Sequence, residues 1–584
     1  METLTVGEAD FAVETPSEMT FGDYSTNVAM ICAKTEKKNP KILAEEFVKI
    51  LSEKKIPEVE KISVAGPGFI NFFMKPEVFA EVVKETVKAG ANVGKNENLK
   101  GQKILVEYTD PNPFKEFHIG HLMSNSIGEA ISRIIANEGA DVKRLSYGSD
   151  VGLHVAKAIF IVLQQKEKIA EIKNKRQPLQ ANSSRMTTKE QLEFWAHSYV
   201  AGSTQYEENE NAKKEIDNLN KIIFDKSDKE INELYDWGRE VSILHFQEIF
   251  KILGTKFDKN IWESEVAEEG LKAVEEGLEK NILEHSEGAV VFKGEKYGLH
   301  TRVFVNSKGI PVYEAKELAL GMKKIKEFNF DKSIVITGNE QNDYFKVVLK
   351  AMELLRPESA NKTVHIGHGM LRFASGKMSS RTGNVITGVS LIHDVKNLVL
   401  EKMKDREMSD EKKEIVAGLV AISAIKFSIL KQAPGGDIIF DFQKSISFEG
   451  DSGSYLQYAT VRANSILKKA VGTMSTEGTE LASERAGGIR VNAKMPENWK
   501  TTDLERMIER FESVVVRAGE EYAPHYIVTY LIHLAGEFNS FYAKHKIIDA
   551  ADQTSPYKLA LTQSFAYIMT AGLDLLGISV PEEM

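Results

Sequence analysis

The chain has 584 residues, 42% of them hydrophobic and 27% charged, and a formal net charge of −10. Those proportions are ordinary for a globular protein of about four domains, at roughly 150 residues each. The single cysteine, Cys32, excludes a disulfide framework and a cysteine-built zinc site. The first residues lack the basic and apolar regions of a secretory leader, and no apolar run suits a membrane span. A cytoplasmic protein without a membrane attachment is expected.

The first hundred residues read as a small α+β unit. Residues 43–51 have helical periodicity, 63–65 and 69–74 read as strands about the turn Gly66-Pro67-Gly68, and 78–88 return to helix. The polar stretch 95–101 reads as a linker. A strand over 103–108, a loop with Pro111 and Pro113, a helix over 121–138 and a strand over 142–147 then form a βαβ unit. Met123, Ile127, Ile131 and Ile134 share one face of its helix. A parallel sheet follows, with its ligand at the carboxyl ends of the strands. A matching half comes much later: strand 333–337, helix 343–355 and strand 363–366. The residues between, including the charged stretch 164–190, read as a large insertion. Beyond about residue 390 the pattern is helical. Thr502-Asp503-Leu504-Glu505 has capping-box spacing, Leu504, Ile508, Phe511 and Val515 line one face, and 471–500 reads as an exposed loop.

Two short stretches carry chemistry. His118-Ile119-Gly120-His121 lies at the strand-to-helix turn, where a glycine admits close backbone approach and the helix N-terminus favours a phosphate. Lys377-Met378-Ser379-Ser380-Arg381, between Gly376 and Gly383, supplies cations and hydroxyls on a loop suited to a triphosphate. The first tetrapeptide recurs letter for letter as His365-Ile366-Gly367-His368. That copy ends a strand and precedes no periodic helix, so it reads as structural or nucleotide-adjacent. The acidic total does not exclude nucleic acid, because local patches set the field within a Debye length of about 8–10 Å. Candidate patches are Lys166, Lys168, Lys173, Lys175 and Arg176, and Lys426, Lys431, Lys444, Arg462, Lys468 and Lys469. A solvated helix face is the plainer reading of each. Cys32 reads as a small buried hydrophobe.

In this order the two stretches resemble the signatures of class I aminoacyl-tRNA synthetases. Over nearly its full length the chain resembles the arginyl-tRNA synthetase family. The segment Glu107-Tyr108-Thr109-Asp110-Pro111-Asn112 and Gly148-Ser149-Asp150-Val151-Gly152 are similar to that family's catalytic stretches. Ser454-Tyr455-Leu456-Gln457-Tyr458-Ala459 and the ending Leu575–Pro581 resemble its anticodon-binding domain. Gly22-Asp23-Tyr24-Ser25-Thr26-Asn27 resembles its N-terminal domain, which contacts the tRNA D-arm. The resemblance implies a class I Rossmann-like α/β catalytic domain, a parallel sheet split by an insertion, over 101–388, with the insertion at about 153–310. It also implies an N-terminal α+β domain over 1–100 and a helical linker and all-helical anticodon-binding domain over 389–584.

The implied reaction joins L-arginine to ATP as arginyl-adenylate and then to tRNA(Arg). Its cofactors are ATP as substrate and Mg2+ with ATP, and the family is usually monomeric. The resemblance assigns catalysis to His118, His121, Lys377 and Arg381, and ATP contacts to His118, Gly120, His121, Lys377, Met378, Ser379 and Ser380. It assigns arginine to Glu107, Asn112, Tyr313, Glu317 and Gln341, with Glu107 and Glu317 taking the guanidinium. The chain departs from the family pattern at Ser380 and Thr382, where lysines are usual, at Glu317, where Asp is common, and at Lys316, where Arg is frequent. Two rivals remain: a glutamyl- or cysteinyl-type synthetase, and a tRNA-binding paralogue without activation chemistry. One cysteine cannot supply the zinc pocket typical of the cysteine enzyme.

Overall fold

The computed structural model describes residues 11–16, 18–165, 187–374, 387–474 and 493–584. It divides into two compact units, one of residues 1–94, 458–515 and 529–572, the other of 95–457, 516–528 and 573–584.

In the first unit, β1 (Val13–Glu14) and β2 (Tyr24–Thr26) precede α1 (Val28–Glu36) and α2 (Pro40–Glu53). The hairpin β3 (Val59–Ala65) and β4 (Phe69–Met74) completes an antiparallel sheet ordered β1-β2-β4-β3. Gly66 and Gly68 close the hairpin at φ 53° and 135°, values that L side chains rarely adopt. Apolar residues of α1 and α2, among them Ala29, Cys32, Leu43 and Phe47, meet Ile70 of β4 in a small core. Cys32 is buried there, as a small hydrophobe would be. Helix α3 (Pro76–Ala89) follows, with proline in its first turn.

The second unit is built on five parallel strands. These are β5 (Lys103–Glu107), β6 (Asp141–Gly148) after α4 (Ile119–Asn137), β7 (Lys259–Trp262), and later β11 (Lys332–Gly338) and β12 (Thr363–His368), ordered β12-β11-β5-β6-β7. The chain winds one way from β5 through β6 to β7 and the other way from β11 to β12. The topological switch point therefore lies between β5 and β11, where doubly wound sheets hold their ligands. The four predicted face residues of α4 are all buried.

The insertion expected at about 153–310 needs a correction, because β7 lies inside that interval and pairs with β6 as an edge strand of the main sheet. Four residues without alternation gave no strand signal. Two inserted pieces flank it. The first is helical, α5 (Leu153–Leu163), α6 (Thr188–Glu208), α7 (Glu210–Asp225) and α8 (Lys229–Leu253), packed around Phe114, Trp195 and Trp237. The second is α9 (Ala267–Glu279) with a three-stranded antiparallel sheet of β8 (Glu284–Ser286), β9 (Ala289–Phe292) and β10 (Arg302–Val305). Helix α10 (Tyr313–Phe328) leads back to β11, and α11 (Asn342–Leu355) and α12 (Pro357–Lys362) join β11 to β12.

After β13 (Leu371–Phe373) the unit continues through α13 (Gly388–Met403) and α14 (Asp410–Leu430), with β14 (Ile438–Phe440) pairing in parallel with β13. Lys426 of α14 is no part of a basic surface. It is fully buried, and its ammonium donates to the Leu253 and Gly577 carbonyls, both at 2.7 Å. Lys431 is paired with Asp451 at 2.9 Å. The other proposed patch, from Lys166 to Arg176, lies outside the described residues.

The short α15 (Phe442–Ser445) precedes the closing helices α16 (Gly453–Met474), α17 (Asp503–Glu509), α18 (Phe511–Glu520), α19 (His525–Lys544) and α20 (Ser555–Leu575). The predicted capping box at Thr502 and Glu505 is present, and Glu505 also accepts from Trp499 and Tyr557. Leu504, Ile508, Phe511 and Val515 are buried as expected. Within the first unit, Asp23 is paired with Arg506 and Tyr24 donates to Glu509, so the Gly22–Asn27 motif is fastened to α17. Of the loop expected over 471–500, residues 475–492 lie outside the described residues.

Candidate active site

The segment after β5 is held in a costly backbone conformation. Thr109, Asp110 and Phe114 have φ of 80°, 47° and 68°, unfavourable for residues with a Cβ. Two side chains from other elements and one backbone N–H of β6 hold it there. Ser124 Oγ accepts the Thr109 N–H at 2.9 Å and Ser242 Oγ the Phe114 N–H at 3.0 Å. Asp110 in turn accepts the Tyr147 N–H at 2.7 Å. Asn112 accepts the Ser149 N–H at 2.8 Å, tying this loop to the one after β6. Asp150, fully buried, accepts from Tyr235, Arg239 and Ser264 and so fixes α8 against the sheet.

His118 and His121 cap one another at the start of α4. His118 Nδ1 accepts the His121 N–H at 3.3 Å, His121 Nδ1 accepts the His118 N–H at 3.2 Å, and the rings stack at 3.5 Å. Both Nδ1 atoms being acceptors, the ring proton of each sits on Nε2. Burial and neighbouring positive charge hold both pKa values below the usual imidazole range, His121 furthest because it is buried. The pair is therefore neutral at pH 7 and presents two Nε2–H donors. Gly120 has a plainer task than admitting nucleotide, since a Cβ there would stand 3.0 Å from the His118 ring.

Residues 377–381 lie outside the described residues, so Lys377, Met378, Ser379, Ser380 and Arg381 have no described position. Their flanks are fixed. Ala374 donates to Phe440 at 3.0 Å on one side. On the other, Thr387 bridges His118 and the Gly388 N–H donates to the Phe117 carbonyl at 2.8 Å. Thr387 and Gly388 thus lie beside the first signature.

The repeated tetrapeptide is part of β12. His365 contacts Thr337 Oγ1 at 2.8 Å and stacks on Phe345 at 4.0 Å. His368 donates Nδ1–H to the Gly369 carbonyl at 2.7 Å. Both are occupied inside the sheet, and the strand runs on toward β13 rather than into a helix.

Beside the switch point lies a cluster of carboxylates. Glu107, at the end of β5, is paired with Lys324 at 2.6 Å, and Glu263, after β7, with Lys316. Glu317, from α10, and Asp110 complete it. Burial, then the Glu107 charge, pushes Glu317 up to about 8, and burial raises Asp110 as well. Tyr313, at the start of α10, is half exposed and lines a cavity of about 380 Å³ with Lys115, His154, Lys157, Tyr199 and Lys316. Burial and these lysines drive His154 down to about 3. Glu107, Asn112 and Glu317 thus fall in one region, Tyr313 at its edge, and Gln341 on the exposed turn before α11. Sequence reasoning missed Lys324, Glu263 and Lys115. The available signal for Lys324 was its place two turns from Glu317 on one helix face, beside the apolar Leu320.

Residues 83–442 match the class I tRNA synthetase (R) catalytic domain, 456–584 the DALR anticodon binding domain, and 3–74 the arginyl tRNA synthetase N-terminal domain. The chain belongs to the arginyl-tRNA synthetase family. The arginine–tRNA ligase of Clostridium acetobutylicum is 30% identical over 575 residues, spanning 98% of this chain and 96% of that protein. That of Clostridium botulinum is 29% identical over 586 residues, 100% of this chain and 97% of its own. The arginyl-tRNA synthetase of Thermus thermophilus shares the fold, with a TM-score of 0.76 at 24% identity over 98% of this chain and 96% of that one. Among the described residues no helix is long and apolar enough to cross a membrane.

Proposed function

We propose that this arginyl-tRNA synthetase activates L-arginine with ATP, and charges tRNA(Arg), at the carboxyl ends of β5 and β11. The observation that carries this placement is the neutral His118–His121 pair capping α4 at the switch point, next to a pocket with an excess of carboxylate. An arginine carboxylate oxygen attacks the α-phosphorus, the bond to pyrophosphate breaks, and pyrophosphate leaves. The terminal ribose hydroxyl of tRNA then attacks the activated carbonyl, and AMP leaves. Such chemistry asks for positioning and for donors to the phosphoryl oxygens rather than for a protein nucleophile.

His118 and His121 supply Nε2–H donors to the phosphates at the positive end of the α4 dipole. Lys377 and Arg381 neutralise the leaving pyrophosphate, with Met378, Ser379 and Ser380 in the same loop. Mg2+ accompanies ATP as the partner of its phosphates. The carboxylates at positions 107 and 317 give the pocket its demand for a cation, Asn112 and Tyr313 border it, and Gln341 stands at its rim. The domains are those read from the sequence, with β7 returned to the catalytic sheet. We take the protein to act as a monomer in the cytoplasm. The direct test is ATP–pyrophosphate exchange with arginine, with and without tRNA(Arg). Exchange and charging with another amino acid, and none with arginine, would refute this assignment.

A further inference from the structure

The two strands that flank the switch point part early. β5 pairs with β11 only as far as Glu107 opposite Val335, whereas β11 goes on pairing with β12 to Gly338 opposite His368. Tyr108 still donates its N–H to the Leu145 carbonyl of β6, at 3.2 Å. The next N–H, that of Thr109, goes to Ser124 of α4, whose Oγ accepts it at 2.9 Å and donates to the Ile336 carbonyl of β11 at 2.9 Å. One hydroxyl thus stands between the loop after β5 and β11, where a direct rung would draw the two together.

Thr109, Ser124 and Ile336 are all buried, so the N–H and the carbonyl each need a partner from the protein. A hydroxyl is suited to this place because it accepts and donates at once. His121 and Ser124 are three residues apart on α4 and so share a face of the helix. Asn125, next in sequence, donates Nδ2–H to Thr109 Oγ1 and accepts from Thr255 Oγ1, both at 3.0 Å. It holds Thr109 at its φ of 80° independently of Ser124. The turn of α4 that follows the histidine pair therefore sets where that pair stands relative to the loop of Asn112 and to the end of β11.

We infer that Ser124 is a positioning residue for adenylate formation: its hydroxyl keeps β5 and β11 apart at the switch point and registers the histidine-bearing end of α4 against the loop of Asn112. The inference rests on the site reading above. Without the hydroxyl, the Thr109 N–H and the Ile336 carbonyl are stranded in the interior, and the shortest remedy is to close on one another and narrow the crevice. The consequence falls on one step. Activation must bring the arginine carboxylate and the ATP α-phosphorus together as separate molecules, and a misplacement near 1 Å costs on the order of 100-fold. In transfer the arginyl and phosphoryl groups already belong to one molecule, so their mutual placement no longer depends on the crevice.

Single-turnover measurements on the full-length protein, with tRNA(Arg) present and a melting curve for each variant, separate the two steps. Ser124→Ala should slow arginyl-adenylate formation about 100-fold. The KM values for arginine and ATP should each stay within about threefold of the parent, and transfer from supplied arginyl-adenylate should slow by less than about threefold. Ser126→Ala is the control for a lost buried hydroxyl on the same helix. Ser126 donates to the Leu122 carbonyl of its own helix at 2.8 Å, and its loss should leave both steps within about twofold. If Ser124→Ala does not fold, Ser124→Cys fills the same space with a weak donor and acceptor and carries the test, with the same loss confined to activation. Equal slowing of activation and transfer, activation within about threefold of the parent, or an equal activation defect in Ser126→Ala would overturn the inference while the arginine site stands. Activation of another amino acid and not of arginine would refute the site reading instead, and the step-specific loss in Ser124→Ala would then be read with that amino acid.

Discussion

Tyr108 donates its hydroxyl to Glu129 at 2.6 Å, directly behind the strained loop that follows β5. Glu129 also receives Arg133 at 2.7 Å, and Arg133 reaches on to Asp574 at 2.7 Å, near the end of the chain. The segment after β5 is thereby joined, within the second unit, to residue Asp574. Gly128 makes the approach possible, since a Cβ there would collide with the Tyr108 ring at 2.2 Å. Tyr108→Phe removes a buried hydrogen bond to a charge, worth about 1.5–3 kcal/mol. We expect a lower Tm and a fall in kcat that stays below about tenfold, because the loop retains its bonds to Ser124 and Ser242. An unchanged Tm would show that Glu129 is satisfied without the hydroxyl.

The buried ammonium of Lys426 supplies a second check on the same region. Burial lowers its pKa to about 8, and its acceptors are the Leu253 and Gly577 carbonyls. Deleting residues 576–584 removes one acceptor and should destabilise the second unit by at least about 1.5–3 kcal/mol, the usual worth of a hydrogen bond to a charged group. Because the folded pKa lies below the unfolded value, stability here rises as pH climbs from about 8 toward 10.5. Lys426→Met should remove that alkaline increment, which a urea titration at pH 7.5 and 9.5 would measure.

How much of this was legible beforehand can be argued from particular residues. The βαβ unit around His118 was readable because Met123, Ile127, Ile131 and Ile134 repeat at helical spacing and the preceding strand carries the apolar run Ile104-Leu105-Val106, as a buried parallel strand does. β7 was not, because Lys259–Trp262 owes its place to pairing with β6 and not to any pattern of its own. Lys426 and Lys324 were misread or missed for one reason: a lysine looks solvated in sequence, and only the fold reveals the carbonyl or carboxylate that buries it. The mutual capping of His118 and His121 was likewise invisible, since it depends on two ring rotations that no spacing encodes.

The Glu317 carboxylate should make arginine binding pH-dependent. With its pKa raised to about 8, the free site holds a proton at pH 7 and must release it as the guanidinium enters. The KM for arginine should therefore fall as pH rises from 6.5 to 8, by up to about tenfold per unit, and level off above. Burial raises Asp110 in the same cluster as well, and burial lowers His118, His121 and His154. The stability sign is opposite: a carboxyl whose pKa is raised on folding makes the free protein less stable as pH climbs from 4.5 to about 8. Glu317→Gln should thus flatten the arginine profile and raise the Tm at pH 7.5. A flat profile in the parent enzyme would rule out Glu317 as the titrating ligand.

The two identical tetrapeptides can be set against each other. His118 and His121 present Nε2–H donors at the N-terminus of a 19-residue helix, whereas His365 and His368 stand in a strand, with His365 Nε2 on Thr337 and His368 Nδ1 on the Gly369 carbonyl. Removing one preorganised donor to developing phosphate charge costs about 10²–10³ in rate. We expect His118→Asn and His121→Asn each to lower adenylate formation by that order. His365→Asn should cost less than about tenfold in rate and act through stability, since its ring is stacked on Phe345. Because burial holds both imidazoles below their usual range, an inflection in the parent rate from this pair should fall on the acid side of an ordinary histidine's. Single-turnover adenylate formation, with a melting curve for every variant, separates lost chemistry from lost fold. A larger chemical defect in His365→Asn or His368→Asn than in the first pair would move the ATP site from the β5 turn to the end of β12.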